Sequence, residues 1–300
     1  MSVILPTIGA LGTSWWIEIF DDINENRRHV IHDDCAAFLR DFEERYSRFN
    51  PTSYISRLNA ERSLTGPDSE LINLLRFGCS QYERTNGIFN IMVGSKLVES
   101  GYDATYSFTP SPISTPLQSP MLALHITPER ITLAQGLVDL GGFGKGYAID
   151  ALTHLLKTKH QLSFFLINGG GDMYGTSNYD APIEIYLEHP TTPDTYLATT
   201  TIWNQGFAAS SPHKRAWQYA GTTYTHIIDT TDVPRTNRPD ATFIKATTAC
   251  TADIFATVAL IAPPEAMNGF AEQEALGVAS FSLSDNSLIH NHAFIDELPK

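Results

Sequence analysis

The stretch VDLGGFGKGYAIDALTHLLK, residues 138–157, constrains the fold of this chain more than any other segment. Asp139 precedes a cluster of four glycines (Gly141, Gly142, Gly144, Gly146) and a lone Lys145, after which apolar residues recur at helical spacing. The pattern predicts a strand that ends in an acid, a turn stripped of side chains, and a helix whose open end faces that turn. Bare backbone amides, a helix N-terminus and an ammonium suit an anionic ligand, a phosphate above all. Glycine-rich strand-to-helix turns also arise for packing alone, and the segment by itself leaves both readings open.

Composition narrows the field. Three hundred residues suit one large domain or two modest ones, and a hydrophobic fraction of 42% with 11% aromatics belongs to a folded globular chain. The formal charge of −13 argues against non-specific nucleic-acid binding, because the chain would repel the phosphate backbone. A phosphate ligand would then need local help from backbone dipoles, a lysine or a cation. No run approaches the ~18 apolar residues of a membrane span, and the opening MSVILPTIGALGTSWW lacks a basic export region. The expectation is a cytoplasmic protein without a membrane span. Cys35, Cys79 and Cys250 are few, odd in number and widely spaced, which reads as reduced thiols without zinc-ligand spacing.

Along the chain, TSWWIEIF (13–20) alternates like a strand, and residues 28–47 carry a helical pattern. Residues 47–63 read as loop, and a second helix is expected from Asp68 to Arg84, stopped at Asn86-Gly87. Residues 103–120, rich in Ser, Thr and Pro, read as an irregular surface excursion and the best candidate for an internal boundary. Beyond 121 come a hairpin (ALHITP, RITLAQ), a strand VDLG, a helix from Tyr147 to Lys159, and the buried strand of FFLINGGGDMYG. IEIYLEH, YLATTTIW, QGFAASS and YTHIIDT read as antiparallel strands, ATTACTADIFATVALIA as a helix, and VASFSLSD with SLIHNHAF as closing strands. Strands outnumber helices and are joined by short turns, so the expected class is α+β with mainly antiparallel sheets, a single domain over 1–300.

Three further clusters carry chemistry. Asp253 and Thr257 lie four apart, so a helix would turn both oxygens the same way, a hard pair suited to Mg²⁺. The alternative is a helix start capped by Thr248, Thr251 and Asp253. In INGGGDMYG, three glycines around Gly170 permit positive φ and close approach of a flat ligand; Asp172 is then a turn residue or a ligand contact. His226 and Asp229 could pair as acid and base, or His226 could serve structure alone.

Together these segments resemble the FAD:protein FMN transferases, the ApbE-like family, in order and over nearly the whole chain. ALGTSWWIEI is similar to that family's opening Met-Gly-Thr strand, with Leu11 in place of methionine. SRFNPTSYISRLN resembles its Ser-x-Tyr/Phe…Ser-x-Ile-Ser-x-Leu-Asn segment, and NGIFNIMVG stands where Gly-x-Phe-Asp-Pro-Thr is usual. VDLGGFGKGYAID is similar to Asp-Leu-Gly-Gly-x-x-Lys-Gly-Tyr-Ala-x-Asp; INGGGDMYG, THIID and ADIFAT complete the series. The resemblance implies an ApbE-like fold that binds FAD with Mg²⁺, transfers FMN to a Thr or Ser hydroxyl of a target flavoprotein, and releases AMP. It implies Asp253, Thr257 and the backbone oxygen of Gly142 as metal ligands. It further implies FAD contacts at Leu11, Ile88, Phe89, Asn90, Asp139, Lys145, Gly170, Asp172 and His226, with His226, Asp229 and Asp253 in the chemistry.

The chain also departs from the family pattern. Asp229 is followed by TTDVPRTNRP instead of Pro-x-Thr-Gly, so a second alignment matches Pro234-Arg235-Thr236 to that element, with Asn237 for glycine. Asn90, Ile91 and Met92 replace Asp-Pro-Thr. The alternative function is therefore an FAD-binding protein or FAD pyrophosphatase that transfers nothing to protein. A third reading is an assembly partner with no Mg²⁺ dependence.

Overall fold

The computed structural model describes residues 2–112, 114–231 and 238–295. Strands β1 (Val3–Ile4), β2 (Ile8–Ala10) and β3 (Thr13–Ile19) lead into helix α1 (Glu25–Tyr46). Helix α2 (Tyr54–Glu61), strand β4 (Ser63–Thr65) and helices α3 (Ser69–Arg84), α4 (Gly94–Glu99) and α5 (Pro120–Ala123) follow. Next come β5 (Leu124–Ile126), β6 (Arg130–Leu133), helix α6 (Gly144–Thr158), β7 (Phe165–Gly169) and β8 (Asp172–Thr176). After them run β9 (Ile183–Glu188), β10 (Tyr196–Ile202), β11 (Gln205–Ser210), β12 (Ala216–Tyr219) and β13 (Thr222–Thr225). The described chain closes with β14 (Ala241–Ala246), α7 (Ala249–Ile261), α8 (Pro264–Gln273), β15 (Gly277–Ser282) and β16 (Ser287–His290). The fold is α+β with antiparallel sheets, as expected. Among the described residues no helix is long and apolar enough to cross a membrane.

Two compact units divide the chain. The first comprises Met1–Asp41, Phe143–Ser211 and Pro234–Lys300. Its nine-stranded sheet has the order β1-β3-β7-β8-β11-β14-β15-β16, with β2 also on β3, and every pairing is antiparallel. Strands β7 and β14 are buried at every position, so both faces of the sheet are covered there. Helix α7 packs on β11 and β14, and α6 on β7, β8 and α7. An apolar cluster joins Ile183, Ile185 and Leu187 of β9 to Phe207, Phe243 and Phe281 of the sheet. Strand β9 alternates buried and exposed residues, the period-two signature that made it legible in sequence.

The second unit comprises Phe42–Gly142 and Pro212–Val233. It holds the three-stranded sheet β4-β6-β5, the hairpin β12–β13 and helices α2 to α5. Helix α3 buries Leu71, Ile72, Leu74, Leu75 and Gly78 along one stripe, and the Asp68 carboxylate caps it by accepting the Leu71 N–H at 2.7 Å.

Several sequence expectations are corrected. Residues 47–63 are not all loop: Ser53 caps α2 by accepting the Ser56 N–H, Ile55 and Leu58 bury its inner face, and Arg62 ends it at φ 65°. VDLG is not a strand: the Asp139 N–H donates to the Ile91 carbonyl at 2.8 Å, but at Val138 the place of a ladder partner is taken by the Asn59 amide. Its Oδ1 accepts the Val138 N–H at 2.8 Å and its Nδ2 donates to the Val138 carbonyl at 2.9 Å. Leu11 is in the β2–β3 turn instead of a strand; with Gly12 it has positive φ (53° and 69°), the geometry of a tight two-residue hairpin loop. Helix α6 begins at Gly144, earlier than Tyr147, and α8 is an added helix with Pro264 at its first position.

Candidate functional site

In the first unit, three charged residues converge from three elements. Lys145 is the second residue of α6, Asp172 opens β8, and Asp253 lies in the second turn of α7. The Lys145 ammonium pairs with Asp172 Oδ2 and lies 3.5 Å from Asp253 Oδ2, which also accepts the Gly146 N–H at 3.0 Å. Both carboxylates are buried, whereas the lysine keeps a quarter of its side-chain surface in solvent. Burial acts to lower the Lys145 pKa, but Asp172 and Asp253 outweigh it and hold the ammonium above its ordinary value. Burial, with the Asp172 charge, raises the Asp253 carboxyl above the usual carboxylate range, against the pull of Lys145 and the Gly146 N–H.

This arrangement answers two questions the sequence left open. The cap of α7 is the Thr248 hydroxyl, which accepts the Thr251 N–H at 3.1 Å, so Asp253 is not consumed as a cap. Asp172 is not the turn residue: Gly170 and Gly171 make the turn with φ 76° and 102°, and Asn168 Oδ1 accepts the Gly171 N–H. A side chain on Gly170 would strike Thr13, which covers that position. The open end of α6 is partly filled by the protein's own carboxylate, since the Gly146 N–H already serves Asp253.

The donor set around Asp253 fits a hard divalent ion. Thr257 sits one turn further along α7, half-buried. Among the described residues neither Asp253 Oδ1 nor the Thr257 hydroxyl has a hydrogen-bond partner. Among those residues, too, no three His, Cys, Asp or Glu side chains form a metal cage. A carboxylate and a hydroxyl one helical turn apart suit Mg²⁺, which keeps several waters or phosphate oxygens in its shell.

Leu11 also belongs to the first unit, and the second holds Ile88, Phe89, Asn90, Asp139, Gly142, His226 and Asp229. Asp139 is buried and fully engaged: Oδ2 pairs with Arg48 Nε, and Oδ1 accepts the Gly141 N–H at 2.7 Å. Arg48 also donates to the Tyr102 carbonyl at 2.8 Å and lies 4.1 Å from the Phe49 ring centroid. Ile88, Phe89 and Asn90 are buried, and the Asn90 amide ties two segments, accepting from Met92 N–H and donating to the Gln118 carbonyl. The Phe89 ring lies 3.0 Å from where a side chain on Gly142 would begin. His226 follows β13 directly, with Nδ1 3.4 Å from the Arg215 carbonyl. Asp229 Oδ1 accepts both the N–H and the hydroxyl of Thr231, and the Thr230 hydroxyl donates to the Ile88 carbonyl at 2.7 Å. Pro234, Arg235, Thr236 and Asn237 of the second alignment lie outside the described residues.

The ApbE family model matches residues 11–281. The chain belongs to the ApbE family. Among its ApbE relatives, the FAD:protein FMN transferase of Haemophilus influenzae is 22% identical over 298 residues, covering 93% of this chain and 86% of that one. The protein of the same name from Escherichia coli K12 is 25% identical, covering 89% and 81%. The solved ApbE protein of Thermotoga maritima shares the fold at TM-score 0.85 with 20% identity, covering 99% of this chain and all of that one. The flavin transferase ApbE of Vibrio cholerae matches at TM-score 0.77 with 19% identity, each chain 98% covered.

Two residues of this ApbE chain escaped the sequence reading. Arg48 and Asn59 lie within the quoted SRFNPTSYISRLN, but nothing in one sequence ties them to Asp139 and Val138. Their partners are 91 and 79 residues away.

Proposed function

We propose that this chain is a Mg²⁺-dependent FAD:protein FMN transferase, attaching FMN through a phosphoester bond to a Thr or Ser of a target flavoprotein and releasing AMP. The observation that carries the reading is the buried Lys145–Asp172–Asp253 cluster, with its unpartnered oxygens at Asp253 and Thr257. Membership of a family whose curated relatives bear that name supports it. Asp253, Thr257 and the Gly142 carbonyl would hold Mg²⁺, which when bound supplies Lewis acidity to the pyrophosphate. Lys145 would neutralise phosphate charge, while Leu11, Ile88, Phe89, Asn90, Asp139, Gly170, Asp172 and His226 contact FAD. In this reading the whole chain is one functional module.

The acceptor hydroxyl oxygen attacks the FMN-side phosphorus. The new phosphoester bond forms as the bond to the bridging oxygen breaks, and AMP leaves with that oxygen. His226 or Asp229 takes the hydroxyl proton, a contribution typically worth about 10²–10⁴-fold. Three free cysteines accord with a cytoplasmic setting.

The competing reading is FAD hydrolysis without transfer, favoured by the changed residues after Asp229. Chromatography of FAD incubations with and without acceptor protein separates them. Transfer predicts AMP release that depends on the acceptor and yields no matching free FMN. Equal AMP and FMN, whether or not acceptor is present, would establish the pyrophosphatase instead.

A further inference from the structure

Helix α7 carries both side chains assigned above to the metal, and its first turn is held from outside the helix by a residue of α6. Asp150, on α6, spans the start of α7: Oδ1 accepts the Ala249 N–H and Oδ2 the Cys250 N–H, each at 2.9 Å. The third N–H of the helix, on Thr251, goes to the Thr248 hydroxyl. All three leading amides are thereby satisfied, two of them by a residue 99 and 100 positions away in sequence.

The hold is reciprocal. Asp253 of α7 accepts the Gly146 N–H in the first turn of α6, while Asp150 of α6 takes the first amides of α7. Gly146 lets the helices meet, since a Cβ there would lie 2.6 Å from both the Ala249 carbonyl oxygen and the Cys250 Cα. A side chain on Gly206 of β11 would likewise strike Thr248 and Ala249, so the same turn is gripped between a helix and a strand. A slip of one residue moves a helix about 1.5 Å along its axis. Such a slip would carry Asp253 off the Gly146 N–H and away from Lys145.

We propose that Asp150 is a positioning residue for the divalent ion: by chelating the first two amides of α7 it fixes the register of Asp253 and Thr257 against α6. The proposal rests on the metal reading given under Proposed function. It assigns Asp150 no contact with metal or flavin. A residue that only caps α7 would affect melting and leave metal affinity alone.

The test is Mn²⁺ titration of the full chain with ADP present as a flavin-free pyrophosphate, followed by electron paramagnetic resonance of free Mn²⁺. It is run on wild type, Asp150→Ala, Asp150→Asn and Asp253→Ala at a temperature where circular dichroism shows each folded. Outer-sphere positioning groups typically change metal affinity by about 10–100-fold. The expected result is at least about tenfold weaker Mn²⁺ binding in Asp150→Ala. Asp150→Asn, which keeps an acceptor for one amide, should fall between it and wild type. Wild-type affinity in both Asp150 variants, with binding lost in Asp253→Ala, overturns the positioning role and leaves the metal reading standing. Equal, negligible binding in wild type and Asp253→Ala removes the metal reading and the proposal with it. Should Asp150→Ala fail to fold, Asp150→Asn decides, and unchanged affinity there overturns the proposal.

Discussion

Lys145 keeps its charge in a mostly buried setting because two carboxylates share it, and the dependence runs both ways. Removing the ammonium would leave Asp172 and Asp253 buried beside each other without a counter-charge, a loss of about 3 kcal/mol for a buried pair. The Asp253 pKa already lies above its ordinary value, so ionised Asp253 weakens the fold once pH exceeds the unfolded pKa, and protonation on acidification relieves this. Lys145→Ala should therefore melt well below wild type at pH 8, with the gap narrowing toward pH 5. Thermal melts at the two pH values check this, and a pH-independent gap would contradict it. The helical placement of Lys145, Asp253 and Thr257 was legible in sequence because helical spacing and a glycine-rich turn are local signals. The Arg48–Asp139 pair was not, since pairing across 91 residues needs the folded chain.

Elements were legible where a period was clean. Strand β9 and helix α3 alternate and stripe as their solvent exposure requires. VDLG misled because a buried apolar run with an adjacent acid resembles a strand, while Val138 is partnered by the side chain of Asn59 and Asp139 by a single backbone bond to Ile91. The excursion expected at 103–120 is irregular over its described residues as far as Ser119, with Pro120 opening α5, yet it is locally tied. The Asp103 carboxylate accepts the N–H and hydroxyl of both Thr105 and Ser107. That knot encloses Tyr106 and leads into Phe108, whose rings pack with Phe49, Tyr102 and Trp217. The Ser107 hydroxyl leads the donors that pull the Asp103 carboxyl down to about 2, against about 3.9 for an unperturbed aspartate. A depressed carboxyl stabilises above its unfolded pKa and loses that contribution as pH falls through the folded one. Asp103→Asn should thus lower the melting temperature by a constant amount above pH 5, and the difference should vanish between pH 4 and pH 2. A difference that persists at pH 2 would assign the loop's stability elsewhere.

For the molecule as a whole, charge was readable from composition and class from the run of short strands, whereas the order of nine strands was not. That order is fixed by pairings such as β3 with β7, which join segments about 150 residues apart and leave no mark in any one segment. The cysteine reading extends to reactivity. Burial pushes the thiols of Cys35 up to about 12 and Cys79 up to about 11, and raises Cys250 as well. The native protein should leave all three unmodified by an aromatic disulfide reagent at pH 8 and expose three on denaturation; rapid native labelling would refute that. The most direct test of the proposed transfer is intact mass of a purified acceptor flavoprotein after incubation with this chain, FAD and Mg²⁺. Wild type should add one FMN to a Thr or Ser of the acceptor, and chelation of the metal or Asp253→Ala should abolish the adduct while the protein stays folded. Undiminished adduct with Asp253→Ala, or none with wild type while FAD is consumed, would contradict it.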